Sequence, residues 1–223
     1  MRVWVTRAQP AAEATAERLR TLGHDPLVAP LLEVRPLAGI RLDLAEVGAL
    51  AFTSANAVSC FAALTKVRNL PVYAVGEATA RALRTAGFAA ILAGDGDVHA
   101  LAHRITQEGA PDGVVLHPGA AEPAADLAAI LTAMGVSARN LPVYRTEAVA
   151  ALPAAVAEPP EAVLLHSPKA ARILAALIPS HWPLAMAAFG LSPACGAPLE
   201  GLGFRKLEAA RFPTEAALLT LLS

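Results

Sequence analysis

The chain has 223 residues, of which 55% are hydrophobic and 17% are charged, and its formal net charge is −1. This length fits two domains of common size, each with enough apolar residues to bury a core. The near-zero charge argues against a nucleic-acid-binding surface, which needs a basic excess. No segment is apolar for long enough to span a membrane, and the N-terminal segment does not have the pattern of a secretion signal.

Short β-branched runs alternate with Ala- and Leu-rich stretches along the whole chain. The predicted strands are 2–6, 26–31, 49–53, 71–75, 89–93, 113–117, 140–145, 162–166, 184–189 and 204–208. The predicted helices are 9–22, 55–66, 77–87, 98–109, 123–135, 169–178, 192–202 and 214–222. Alternating short apolar strands and helices are typical of parallel sheets covered on both faces. The ten strands therefore predict an α/β protein with two five-stranded, flavodoxin-like parallel sheets.

The second half of the chain repeats motifs of the first half. The repeated pairs are Val3-Trp4-Val5-Thr6 with Val114-Val115-Leu116-His117, Phe52-Thr53-Ser54 with Leu165-His166-Ser167, and Val75-Gly76-Glu77 with Phe189-Gly190-Leu191. Only two long copies are present, so the repeat is not a solenoid. It predicts two similar domains with a site where they face each other, joined through the equivalent segments 34–37 and 144–148.

Small polar residues follow the predicted strands, where open α/β sheets bind ligands. The candidate substrate-binding residues are Thr6, Arg7, Thr53, Ser54, Asn56, Gly76, Thr79, Gly119, Ser167, Lys169, Gly190 and Ser192. Each group is expected to open a helix, whose N–H groups and dipole favour anions. Ser, Thr and Asn are also the usual N-caps, so helix capping alone is the alternative explanation.

Several other chemistries lack support in the sequence. Gly94-Asp95-Gly96-Asp97 begins like a dinucleotide fingerprint, but the third Gly is missing, so we interpret it as a turn. His99 and His103 lie four residues apart, yet a solvated helix face explains them better than a zinc site does. Cys60 and Cys195 have no metal-like spacing and indicate a reducing, cytoplasmic compartment. We therefore expect no metal.

Tyr144 is one of only two tyrosines in the chain. It ends a predicted strand immediately before a linker, so its ring is expected to project towards the interdomain space. An amphipathic tyrosine packed at a domain edge, with its hydroxyl in water, is the alternative.

Taken together, these motifs resemble the uroporphyrinogen-III synthase family over roughly residues 3–222. The resemblance is carried by Val5-Thr6-Arg7, Phe52-Thr53-Ser54-Ala55-Asn56, Val75-Gly76-Glu77-Ala78-Thr79-Ala80, Pro142-Val143-Tyr144-Arg145-Thr146 and His166-Ser167-Pro168. It implies two flavodoxin-like domains, 1–33 with 149–223 and 38–143, with the linkers between them and the substrate in the cleft.

The resemblance also implies an activity. The family closes the linear tetrapyrrole hydroxymethylbilane into uroporphyrinogen III with inversion of ring D and loss of water, through an azafulvene cation and a spirocyclic pyrrolenine. No cofactor or metal takes part. The tyrosine of the family's Tyr-x-Thr motif matches Tyr144, the implied catalytic residue, and the threonine of its Gly-x-x-Thr-Ala motif matches Thr79. The equivalent linkers and the lack of sustained heptads predict a monomer, which we expect in the cytoplasm with transient contact to hydroxymethylbilane synthase.

The sequence departs from the family pattern in the second half. His166 replaces a common Thr, the stretch Gly190-Leu191-Ser192-Pro193 lacks two threonines, and Glu122 and Pro123 stand where an Arg is often found. Two other functions remain open: a non-catalytic two-domain protein that binds an anionic metabolite or tetrapyrrole, and a flavin-binding protein.

If backbone groups bind most of the substrate carboxylates, no single cation is essential. We therefore predict that Lys169→Ala weakens kcat/KM for hydroxymethylbilane by less than about 10-fold, or about 1.4 kcal/mol. A loss a hundred times larger in steady-state assays would contradict this mode of anion binding.

Overall fold

The computed structural model describes residues 1–94, 97–109 and 112–222. The strands of this part are β1 Arg2–Val5, β2 Asp25–Val28, β3 Leu32–Pro36, β4 Val47–Phe52, β5 Val72–Ala74, β6 Ile91–Ala93, β7 Val114–Ala120, β8 Ala138–Ala148, β9 Ala162–Leu165, β10 Ala187–Gly190 and β11 Lys206–Ala209. The helices are α1 Ala11–Thr21, α2 Ala55–Leu64, α3 Glu77–Thr85, α4 Val98–Gln107, α5 Leu127–Ala133, α6 Pro168–Leu177, α7 Pro193–Gly196 and α8 Glu215–Leu219. No helix of the described residues is long and apolar enough to cross a membrane.

The chain divides into two compact units. Unit 1 is Met1–Val34 with Glu147–Ser223, and unit 2 is Arg35–Thr146. The strand order is β11-β10-β9-β1-β2 in one sheet and β3-β8-β7-β4-β5-β6 in the other. The mixed α/β architecture with two largely parallel sheets agrees with the sequence prediction.

The second sheet has six strands, so the prediction of five strands in each sheet is wrong for it. The added strand is β3, which covers much of the segment 34–37, and β8 includes all of 144–148. Leu37 N–H donates to Val143 O at one end of this pair, and Val149 N–H donates to Leu31 O at the other, so the two strands run antiparallel. Pairing satisfies backbone groups that an unpaired β8 edge would expose.

The repeated motifs occupy the same places in the two sheets. In unit 1 the order β10-β9-β1 places the repeat segments side by side, and in unit 2 their counterparts follow the same order as β5-β4-β7. The order of the equivalent strands along the chain differs. In unit 1, β1 comes before β9 and β10, whereas in unit 2 its counterpart β7 comes after β4 and β5. The two copies therefore share a spatial arrangement while their connectivity differs.

Alternation along β1 places its side chains in two separate cores. Trp4 packs with Leu31, Val163 and Leu174 on one face of the sheet. Val3 and Val5 contribute to a second cluster on the other face. The Trp4 indole N–H donates to Ala29 O at 2.7 Å, so the buried ring leaves no unpaired donor.

Two predicted helices are shorter in the structure. The predicted helix 123–135 begins only at Leu127, because β7 remains paired with β8 as far as Ala120 and Asp126 supplies the N-cap. The predicted helix 192–202 is one turn, Pro193–Gly196, followed by a 3₁₀ turn at Ala197–Leu199. Pro198 has no backbone N–H to donate and Gly196 is a poor helix former, which explains the early end.

Gly113 has a backbone that only glycine accommodates without strain. Its φ is +104°, and a Cβ there would collide with Glu46 O, the oxygen that accepts a hydrogen bond from Val114 N–H at 2.7 Å. Gly135 also has a positive φ, +82°, but a Cβ there would meet nothing within 4 Å. A comparison of substitutions at the two glycines therefore separates the cost of the positive φ from the cost of the steric collision.

We predict that Gly113→Ala lowers the free energy of unfolding by roughly 2–4 kcal/mol, since strain and overpacking add. The matched variant Gly135→Ala should cost only about 1–2 kcal/mol, for the left-handed backbone alone. Urea unfolding at constant temperature measures both, and equal losses would contradict the collision at Glu46.

Candidate active site

The carboxyl ends of parallel strands share one edge of each sheet, and most of the predicted binding residues lie there. In unit 2, Thr53 and Ser54 follow β4, and Gly76 follows β5. In unit 1, Thr6 and Arg7 follow β1. Each unit therefore has its own polar edge.

In unit 2 the structure brings Tyr144, Ser54 and Asn56 together. The Tyr144 hydroxyl donates to Ser54 Oγ over 3.3 Å, and the same Ser54 oxygen accepts from Asn56 N–H at 3.1 Å as the N-cap of α2. The tyrosine is buried, with only 7% of its surface exposed. Because 3.3 Å is long for an O–H···O hydrogen bond, the phenol can exchange this partner at low cost.

Beside this group lies a chain of hydrogen bonds formed by four side chains. Thr53 Oγ1 is 3.1 Å from His117 Nε2, and His117 Nδ1 is 2.8 Å from Asn140 Oδ1. Asn140 Nδ2 donates to Asp126 Oδ1 at 2.7 Å. We name these residues the Thr53 relay. Of these four residues only Thr53 was predicted from the sequence as a site residue, although the repeat aligns His117 with Thr6.

Gly119 makes room for this relay and does not begin a helix, so that expectation is wrong. It lies buried inside β7, and a Cβ at this position would come within 3.2 Å of the His117 ring. A cavity of about 210 Å³ adjoins the relay, with His117, Asn140 and Asp126 in its wall. Burial lowers the pKa of His117, although the hydrogen bond to Asn140 and the charge of Asp126 raise it. The imidazole is therefore neutral at pH 7.

The N-terminus of α3 offers backbone donors. Gly76 is its N-cap and provides no side-chain cap, and the first helical bond runs from Ala80 N–H to Gly76 O. The preceding N–H groups of this turn have no partner within the helix. Thr79 is in the same turn and is only 5% exposed.

In unit 1, Thr6 and Arg7 have different surroundings. Thr6 is completely buried, and its hydroxyl donates to Leu164 O at 2.7 Å, so this side chain ties β1 to β9. The Arg7 side chain is 31% exposed, and its Nη1 lies 3.6 Å from Glu215 Oε1. Burial lowers the pKa of Arg7, partly offset by Glu215. Glu215 also pairs with Arg18 and accepts from the Thr15 hydroxyl.

The remaining predicted residues of unit 1 surround two helix starts. Ser167 caps α6 by accepting from Ala170 N–H at 3.2 Å, and Lys169 stands in the first turn of that helix. Ser192 Oγ is 3.5 Å from Cys195 Sγ at the start of α7. Gly190 is needed for packing, because a Cβ there would be 3.0 Å from Cys195 Cβ.

The two units contain the same pair of residue types in exchanged positions. Unit 1 has Thr6 after β1 and His166 after β9, whereas unit 2 has His117 in β7 and Thr53 after β4. In unit 2 the two side chains are hydrogen-bonded to each other. In unit 1 the threonine binds backbone, and neither ring nitrogen of His166 has a hydrogen-bond partner among the described residues.

His166 is a largely buried histidine that lies near both Arg7 and Glu215. Its side chain is 9% exposed, and burial together with Arg7 lowers its pKa from 6.5 to about 3. Its Nε2 is 3.9 Å from Glu215 Oε1, but the neutral ring makes this a contact rather than an ion pair. The unpartnered nitrogens reduce stability, since a buried polar atom without a hydrogen bond costs about 1–3 kcal/mol.

No group of three or more metal-binding side chains occurs in residues 1–94, 97–109 and 112–222. Asp95 and Gly96, which belong to the segment predicted from the sequence to form a turn, lie outside these described residues.

Comparison with known proteins identifies the family. The family model for uroporphyrinogen-III synthase HemD matches residues 13–220. The structure of uroporphyrinogen-III synthetase from Helicobacter pylori is similar, with a TM-score of 0.68 and 21% sequence identity over 99% of this chain and 97% of that one. The wild-type uroporphyrinogen III synthase of the extremely thermophilic bacterium Thermus thermophilus gives a TM-score of 0.46 and 17% identity over 99% and 95% of the two chains. No curated protein matches significantly.

Two α/β sheets with polar groups at the carboxyl ends of their strands define a class of protein that binds small molecules there. Because the family model covers most of its length, the chain belongs to the uroporphyrinogen-III synthase family. It is thus a cyclising hydro-lyase of haem biosynthesis, as the motifs predicted.

The lowered pKa of His166 has a consequence for stability. As pH falls from 6.5 towards 3, the unfolded chain binds a proton that the folded chain does not, so the free energy of unfolding decreases. We predict that, between about pH 7 and about pH 5, the free energy of unfolding falls by roughly 1–2 kcal/mol less in His166→Leu than in the wild type. Urea midpoints at the two pH values measure this.

His181→Leu is the matched control, because it removes an exposed histidine from the same unit. It should retain the wild-type pH dependence. If stability changes with pH equally in the wild type and in His166→Leu, then the folded protein binds a proton at His166 as readily as the unfolded chain does, which would contradict the prediction.

Proposed function

We propose that the chain converts hydroxymethylbilane into uroporphyrinogen III with inversion of ring D, and that Tyr144 is its general acid. The observation that carries the proposal is the placement of the Tyr144 hydroxyl at the start of α2, on Ser54. A phenolic donor, a serine and the start of a helix thus lie within hydrogen-bonding distance of one another. Family membership supplies the reaction that such a group would serve.

Carboxylate binding is assigned to backbone groups more than to cations. The first turn of α3 has no side-chain cap, and its N–H groups lie at the positive end of the helix dipole, where they favour an anion. Arg7 is paired with Glu215, which partly neutralises its charge and makes it a weaker binding group for an anion. Ser54 and Ser167 hold α2 and α6 as caps and present hydroxyl groups beside further N–H donors.

Tyr144 assists departure of the substrate hydroxyl. The phenol turns its proton from Ser54 Oγ to the leaving oxygen, the C–O bond breaks, and the hydroxyl leaves as water. Such general-acid assistance is typically worth about 10²–10⁴-fold. The chain must also hold the flexible tetrapyrrole so that ring D closes inverted, which is catalysis by positioning. The shape of the site, rather than the acid, then selects the isomer.

We extend the proposal to the finer features of the fold. We describe both sheets as flavodoxin-like, with domains 1–33 with 149–223 and 38–143 and linkers 34–37 and 144–148. In support, the five strands of unit 1 in chain order lie as 2-1-3-4-5, which is the flavodoxin arrangement. We further propose a cytoplasmic monomer that needs no cofactor and meets hydroxymethylbilane synthase transiently.

The proposed activity is tested by incubating the protein with enzymatically generated hydroxymethylbilane, oxidising the products and separating the type I and type III isomers. We expect type III in excess over a protein-free control. Only type I, together with saturable substrate binding, would indicate the non-catalytic binding protein. A yellow purified protein would indicate the flavin-binding alternative.

We predict that Tyr144→Phe lowers kcat by roughly 10- to 100-fold, because water replaces the phenol as acid only in part. The product should remain mostly type III. The control is Tyr73→Phe, which alters the other tyrosine, a residue that packs in the core of unit 2. An unchanged kcat for folded Tyr144→Phe would remove Tyr144 from the mechanism, and a switch to type I would mean that it positions ring D.

A further inference from the structure

The hydrogen bonds of the Thr53 relay can run in only one direction. A carboxylate only accepts, so Asn140 turns its amide nitrogen to Asp126 and its carbonyl oxygen to His117. That oxygen also only accepts, so the proton of the neutral ring is on His117 Nδ1. The ring therefore accepts at Nε2, and the hydrogen it accepts is that of the Thr53 hydroxyl.

This direction determines what Thr53 can offer to a ligand. Its single hydroxyl hydrogen points at His117, so only oxygen lone pairs remain for another partner. The relay ends on the carboxylate of Asp126, whose position is fixed by Ala129 N–H at 3.0 Å. The successive hydrogen bonds of the Thr53 relay polarise one another, which makes the Thr53 oxygen a better hydrogen-bond acceptor. Such a group recognises N–H donors and repels carboxylates.

We propose that Thr53 Oγ1 accepts a hydrogen bond from a pyrrole N–H of the substrate and that the Thr53 relay is a site for cationic pyrrole rather than for carboxylate. This inference rests on the proposed function. When the hydroxyl leaves a hydroxymethylpyrrole as water, the C–O bond breaks and the remaining ring carries a positive charge that is shared with its N–H. The charged N–H is the stronger donor, so the acceptor stabilises the transition state more than the bound substrate.

Unit 1 offers no equivalent acceptor among its described residues. Its threonine, Thr6, is fully buried and bound to Leu164 O, and the nitrogens of His166 are buried. The half-buried Thr53 is therefore the better placed of the two threonines to meet substrate. The exchange of Thr and His between the two copies has produced one acceptor site, in unit 2.

Three variants test the inference. Thr53→Val has nearly the same shape without the hydroxyl, and Thr53→Ser restores the hydroxyl. Asn140→Leu leaves Thr53 intact but removes the oxygen that fixes the proton on His117 Nδ1. In each protein, kcat and KM for hydroxymethylbilane are measured together with the ¹⁵N NMR signals of the His117 ring, and urea unfolding confirms that each variant is folded.

We expect Thr53→Val to lower kcat by about 10-fold or more while KM changes by less than about 3-fold, as for a hydrogen bond formed with a charged donor in the transition state. Thr53→Ser should restore most of the lost kcat. Asn140→Leu should lower kcat as well and move the ring proton from Nδ1 to Nε2.

Several results would overturn the inference while leaving the proposed function standing. These are an unchanged kcat in Thr53→Val, a rise in KM alone, or a wild-type ring protonated at Nε2. Absence of type III product from the wild-type protein would overturn the proposed function as well, so the two failures are distinguishable.

Discussion

The parallel pairing of the two central strands in each sheet is the constraint on which the rest of the structure depends. In unit 1, β1 pairs with β9, so Val3 lies opposite Ala162, far away in sequence. In unit 2, β4 pairs with β7. Because both strands of a parallel pair end at the same edge, their last polar residues become neighbours. This pairing places His117 beside Thr53, and it brings His166 into the neighbourhood of Arg7.

The two copies of the repeat keep their backbone arrangement but differ in polar chemistry. In unit 2 the histidine has partners on both nitrogens, and its environment offers an acceptor to the edge of the sheet. In unit 1 the histidine is buried without hydrogen-bond partners among the described residues, and Arg7 and Arg18 share Glu215 instead. Equivalent positions of the two copies therefore differ in their hydrogen-bond partners, although they occupy the same places in the two sheets.

The mixed α/β architecture, the alternation of strands and helices, and the family could all be predicted from the sequence. Apolar periodicity and repeated motifs are local in sequence, so they survive without knowledge of contacts. The sequence did not predict β3, although Leu32-Glu33-Val34-Arg35 alternates, because the segment is short, ends in a proline and pairs with a strand that lies far along the chain. Nor did it place Gly119, whose role depends on a ring packed against it.

Tertiary structure alone decided which polar residues form the Thr53 relay. Asp126, Asn140 and His117 lie in three separate sequence segments, and no spacing rule joins them to Thr53. They come together because β8, β7 and β4 are neighbours in the sheet and because Asp126 lies at the N-cap of α5. The physical reason is that hydrogen bonds are short and directional, so they report distances in space, whereas a sequence records only distances along the chain.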